Sequence, residues 1–147
     1  MNAKRKTIEQ QIEAMAAAWP MFRVGKRDRV ARSATWSGIL KPQFTTYRIE
    51  IRYVVGTYPQ VRVLSPTLER LPGNEEGSLP HVYGPSSDPT LCLFDPETDE
   101  WNSTMLIADK IIPWTIEWLA FYEFWLMTGV WSGGGRHATS GPEETLA

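Results

Sequence analysis

Apolar residues near the start of the chain recur at helical steps. Ile8, Ile12, Met15 and Trp19 are separated by four, three and four positions, which lines one face of a helix. Thr7-Ile8-Glu9-Gln10 has capping-box spacing, with Thr7 as N-cap and Gln10 as the returning side chain, and Pro20 stops the helix. Between residues 45 and 55 the period changes to two. Tyr47, Ile49, Ile51, Tyr53 and Val55 alternate with Thr46, Arg48, Glu50 and Arg52, predicting a strand with one buried and one wet face. Trp36 and Ile39 within residues 35–40 predict a strand before it, joined by the turn Lys41-Pro42-Gln43. Val61-Arg62-Val63 predicts another after the Gly56-Thr57-Tyr58-Pro59 break. A helix followed by an antiparallel meander is an α+β pattern.

Residues 66–89 break this regularity with five prolines and three glycines. So long an irregular stretch inside a domain points to function or disorder, and this one leads straight to Cys92. Beyond it, Ser103 or Thr104 is placed to cap a long helix reaching about Met127, which Pro113 should kink or restart. Trp114, Trp118, Phe121, Tyr122 and Trp125 line that helix and read as core packing against the sheet. Gly129 suits its C-terminal end. Residues 1–137 form one domain on this reading, and residues 138–147 a flexible tail.

Composition narrows the class. With 42% hydrophobic residues and 12% aromatics the chain is globular, and a net charge of −2 argues against a general nucleic-acid binder. The apolar segment 105–127 carries Asp109, Lys110, Glu117 and Glu123, which argues for a core helix and against a membrane span. The basic start lacks an apolar signal-peptide region after it, so a cytoplasmic location is expected. Arg23, Lys26, Arg27, Arg29 and Arg32 cluster against a single acid, Asp28. They read as a solvated loop and strand edge, or as a docking surface for an acidic partner.

The candidate chemistry centres on Cys92, the only cysteine. No internal disulfide can form. His81 and His137, the only histidines, cannot build a zinc site without carboxylates that show no ligand spacing, so neither metal nor cofactor is expected. Cys92 is either a small buried hydrophobe or a nucleophile. The glycines at 133–135 lack the Lys-Ser/Thr of a phosphate loop.

The ordered set of residues resembles the ubiquitin-conjugating enzyme family over roughly residues 7–127. Trp36, Ile39 and Pro42 resemble its Trp followed by an Ile-Gly-Pro-like turn, and Tyr58-Pro59 its Tyr-Pro. His81 precedes Cys92 of Leu91-Cys92-Leu93 by eleven residues, similar to the roughly ten by which the family's His-Pro-Asn precedes its Ile-Cys-Leu, and Trp101 follows Cys92 by nine. The tripeptide here reads His81-Val82-Tyr83, so the family's Asn is missing, with Asn102 the candidate to supply an amide in its place. The glycine-rich ending after an aromatic helix is more similar to divergent bacterial relatives, the stand-alone conjugating proteins of cyclic-oligonucleotide-based antiphage signalling systems (CBASS).

The resemblance implies a conjugating-enzyme fold: an N-terminal helix, a meander of about four strands, an active-site loop and a long aromatic helix. It implies a thioester on Cys92 with the C-terminus of a protein, which in the bacterial branch would be the system's cyclic-nucleotide synthase, a nucleotidyltransferase. His81 would support the loop by hydrogen bonding. Asp95, Glu97, Asp99 and Glu100 would either orient an attacking lysine or form a solvated acidic loop. Arg23, Lys26, Arg27 and Arg29 would dock an activating enzyme, and neither nucleic acid nor membrane is implied. A tryptophan-rich surface leaves a homodimer open. Two other readings compete: a non-catalytic binding module on the same fold, and a cysteine hydrolase pairing Cys92 with His81 or His137.

Overall fold

Thr7 starts the first helix as its spacing predicts. In this computed structural model, which describes residues 4–133, Thr7 Oγ1 accepts the Gln10 N–H at 3.0 Å. The Gln10 side-chain oxygen returns to the Thr7 N–H at 2.8 Å. The helix, α1, spans Ile8–Ala18 and buries Ile8 and Met15, with Ile12 and Trp19 half-buried. Gln11 joins that face and is fully buried, a position the apolar period does not reveal.

Four strands follow as an antiparallel meander in the order β1-β2-β3-β4. They are β1 (Arg23–Asp28), β2 (Ser33–Leu40), β3 (Tyr47–Val54) and β4 (Gln60–Ser65). The alternation in β3 holds: Tyr47, Ile49, Ile51 and Tyr53 are buried, while Arg48, Arg52 and Val54 are exposed. The basic stretch becomes edge strand β1, all six residues exposed. Charged side chains on a free edge oppose pairing with another sheet. A two-stranded hairpin, β5 (Val82–Tyr83) with β6 (Thr90–Leu91), lies in the irregular stretch.

The last helix, α2, spans Ile107–Thr128 and ends at Gly129, whose φ of 78° lies in the left-handed region. It packs on the inner face of the sheet. The Tyr47 and Tyr122 rings meet edge-on at 6.3 Å, and the Tyr47 hydroxyl donates to the buried Glu123 carboxylate at 2.8 Å. Glu123 also accepts the Thr45 N–H at 3.2 Å, tying the β2–β3 turn to the helix. Two details differ from the sequence reading. Of the kink or restart expected at Pro113, the restart does not occur, since the helix is continuous through it. A proline there forfeits one N–H, and burial of Ile111, Ile112, Thr115 and Trp118 on either side offsets the loss.

Nor do Ser103 and Thr104 cap α2. The Ser103 hydroxyl bonds the Tyr53 hydroxyl and the Gly56 N–H, and Thr104 bonds the Asn102 side-chain oxygen. The N-cap is Leu106, which has no capping side chain. Gln11 reaches across from α1 instead: its oxygen accepts the Ile107 N–H at 2.9 Å and its amide donates to the Met105 carbonyl at 2.8 Å. A cap supplied by another helix has no local sequence signature.

Gln11→Met keeps the side chain's approximate size and strands both backbone groups. It should lower unfolding free energy by about 2–4 kcal/mol in urea titrations; a loss under about 0.5 kcal/mol would show that α2 starts without this cap.

Candidate active site

The register of the small hairpin positions the cysteine. Val82 pairs with Leu91 and Tyr83 with Thr90. Cys92 lies two residues beyond Thr90, on the same face of its strand, and so sits diagonally across from Tyr83, within reach of a long aromatic side chain. Arg62 on β4 fixes the hairpin's tip through a forked pair with Asp88, at 3.0 and 3.2 Å, while its other nitrogen holds Glu50 at 3.1 Å. Arg70 adds a bond to the Ser86 carbonyl at 2.8 Å.

At the other end, the His81 carbonyl accepts the Cys92 N–H and the Trp118 indole N–H, both at 2.9 Å. His81 takes φ 59°, a left-handed conformation uncommon outside glycine but more frequent for His, Asn and Asp. Its ring lies on Trp131 at 4.8 Å between centroids. Trp131 in turn contacts Trp118 at 5.2 Å, so the residues after α2 fold back to close the aromatic cluster. Burial pulls the His81 pKa below its usual value, and the Glu76 charge opposes this weakly. Burial thus disfavours the charged imidazole.

Cys92 is half-buried. Its Sγ lies 3.0 Å from the Tyr83 hydroxyl and 3.8 Å from the Phe94 carbonyl. Burial pushes the thiol pKa up; the Tyr83 hydrogen bond opposes the rise, and the charges of Asp95 and Glu100 add to it. A cysteine protease pair shows the reverse, a depressed thiol beside a cationic histidine. The opposite shifts here weigh against a hydrolase using His81. His137 lies outside the described residues.

A cavity of about 500 Å³ adjoins this loop, bordered by Val54, Tyr58, Tyr83, Leu91, Leu93 and Phe94 among others. Tyr58 of the Tyr-Pro pair shapes it, donating to the Pro96 carbonyl at 3.0 Å and packing on Phe94. Trp101 anchors the far end of the loop, its ring edge-on to Tyr53 and its N–H on the Thr57 carbonyl.

The sulfur's hydrogen-bond partners are Tyr83 and Phe94, and the other predicted site residues bond elsewhere. The Asn102 amide donates to Asp99, and its oxygen accepts from Thr104, so both ends are engaged within its own loop. The Asp95 N–H donates to Glu100 and the Asp95 carboxylate accepts the Glu97 N–H, closing the loop after Cys92. Arg23, Lys26, Arg27 and Arg29 are exposed on or beside β1, with Arg27 paired to Glu9 at 3.4 Å. The residue missed from sequence is Tyr83. It occupies the third position of the His81-Val82-Tyr83 tripeptide, and only the hairpin register brings its hydroxyl to Cys92.

Residues 11–138 match the family described as Type II CBASS E2 protein (E2-CBASS). The chain belongs to the type II CBASS E2 family. No curated protein matches the sequence. The architecture of this E2 agrees: N-terminal helix, four-stranded antiparallel sheet and C-terminal helix are consistent with the conjugating-enzyme fold. Among the described residues no helix of the CBASS E2 is long and apolar enough to cross a membrane, and no cluster of three His, Cys, Asp or Glu side chains could hold a metal. Of the seven tryptophans, Trp19 and Trp114 are half-buried and the other five buried.

Folded His81 binds a proton less readily than the unfolded chain. Below the ordinary value of 6.5 the unfolded state takes up protons first, so stability is full above that pH and falls as acidification approaches the lowered folded value. Urea midpoints measured from about pH 8 to about pH 5 should therefore drop more in wild type than in His81→Asn, which tolerates the left-handed backbone and does not titrate. Parallel profiles would contradict a lowered His81 pKa in the folded state.

Proposed function

We propose that this E2 carries the C-terminus of a protein as a thioester on Cys92 and passes it to an amine. The observation that carries the reading is a half-exposed thiol, fixed through its own backbone, beside a hydrogen-bonding hydroxyl and an apolar cavity. In the first step the sulfur attacks an activated C-terminal carbonyl. The S–H proton is lost to solvent, a C–S bond forms, and the activating group leaves with its electron pair. In the second step an amine attacks the same carbonyl, a C–N bond forms, and Cys92 leaves as the thiolate. A carrier needs no depressed thiol pKa at rest, because the acyl group arrives already activated.

Family membership supports the choice of cargo, which we assign to the cyclic-nucleotide synthase of the same defence system. Its C-terminal residues would lie in the cavity beside Tyr83, which both touches the sulfur and borders that space. The activated acyl group would come from an activating enzyme docked on the basic edge of Arg23, Lys26, Arg27 and Arg29, where exposed positive charge favours an acidic partner. One observation favours a non-catalytic relative: burial raises the Cys92 thiol, as it would an inert cysteine.

Co-expression with the neighbouring genes, followed by intact mass without reductant, separates the two readings. The carrier predicts a protein-sized adduct that added thiol removes from wild type, and a thiol-resistant oxyester on Cys92→Ser. Bare mass for both chains, with the neighbours present, would favour the binding module.

A further inference from the structure

We propose that the Tyr83 hydroxyl donates the hydrogen bond that stabilises the Cys92 thiolate as it leaves the acyl group, making Tyr83 a catalytic residue of the transfer step. The inference rests on the acyl-carrier reading above and adds a group to which that reading gave no role.

Geometry carries it. The hairpin register fixes Tyr83 diagonally opposite Cys92, and the hydroxyl lies 3.0 Å from Sγ. The other contact at the sulfur, the Phe94 carbonyl at 3.8 Å, can only accept a hydrogen bond. Against a thiol either partner of the Cys92–Tyr83 pair can donate. Against a thiolate only the phenol can. Tyr83 keeps its proton over the range in which a thiol ionises, because burial raises its pKa and the neighbouring Cys92 raises it further.

The surroundings create the need for a donor. Burial and the charges of Asp95 and Glu100 disfavour negative charge on Cys92, which makes it a poor leaving group unless something stabilises that charge. In transfer, the amine nitrogen bonds to the thioester carbonyl carbon and its surplus proton passes to water. The C–S bond then breaks and its electron pair settles on Sγ, 3.0 Å from the Tyr83 hydroxyl, which toward a thiolate can only donate. The phenol proton stays on Tyr83 throughout. A hydrogen bond to a charged group in a partly desolvated site is stronger than one between neutral groups, so this contact strengthens as the charge develops.

Tyr83→Phe removes the hydroxyl and keeps the ring, and two readouts separate the inference from the reading on which it rests. The first is the pH midpoint of Cys92 alkylation by iodoacetamide on the uncharged protein, which requires no cargo. It should rise by about one unit in Tyr83→Phe. The midpoint is read in preference to a single-pH rate, because a more basic thiolate is also more nucleophilic. The second is discharge of the pre-formed adduct to free lysine, which should slow about tenfold. An unchanged midpoint would overturn the inference whatever the charging result. A raised midpoint with unchanged discharge would overturn the leaving-group role. A wild type that never charges would remove the carrier reading and this role with it, while a raised midpoint would still show the hydrogen bond.

Discussion

The carbonyl of His81 holds the Cys92 amide and the Trp118 indole N–H, each at 2.9 Å, and the placement of the thiol depends on it. One bond belongs to the hairpin and the other to the long helix, so a single acceptor joins the reactive loop to the core. The left-handed backbone of His81 accompanies this pair of hydrogen bonds, and its half-buried ring packs on Trp131. Trp118 is buried and stacked on Tyr122 at 5.5 Å, so the donor in the helix has little freedom. The loop consequently inherits order from the aromatic core even though its own strands are two residues long. A short hairpin in water would be marginal without such support.

The same arrangement shapes the chemistry. His81 acts through its main chain, and burial lowers the pKa of its ring. The thiol is raised rather than depressed, which fits a residue that receives an activated acyl group better than one that must attack an unactivated amide. Tyr83 on one side and the carboxylates of Asp95 and Glu100 on the other set opposing influences on the sulfur's charge. Their balance raises the thiol pKa at rest, and in the proposed transfer step it would leave Tyr83 as the hydrogen-bond donor to a departing thiolate.

Legibility from sequence followed the range over which each signal acts. The α1 capping box and the period-two alternation of β3 are local, and both appear in the structure at the residues that spelled them. The Gly129 terminus is equally local. Strand β1 was harder, because an exposed edge strand has no buried face and so no alternation to read. The start of α2 was misread for a different reason. Ser103 and Thr104 have the right chemistry to cap it, but a tertiary contact with Tyr53 claimed the first hydroxyl, the neighbouring Asn102 claimed the second, and Gln11, some ninety residues away, took the task. At the site, Cys92 and its spacing to His81 and Trp101 were readable. The hydroxyl of Tyr83 was not, because its meaning depends on a hairpin register that residues 82 and 83 alone do not specify.

The central claim is that Cys92 Sγ forms an acyl bond to a protein's C-terminal carboxyl, and the most direct measurement is the chemistry of that bond in the wild-type adduct. Treatment with neutral hydroxylamine in the absence of reductant should release the cargo as its C-terminal hydroxamate and return Cys92 as a free thiol, because hydroxylamine cleaves thioesters and leaves disulfides intact. An adduct that resists hydroxylamine and yields only to reductant would be a disulfide through Cys92. An adduct that persists while Cys92 is fully alkylated would place the bond elsewhere. Either result would contradict the account.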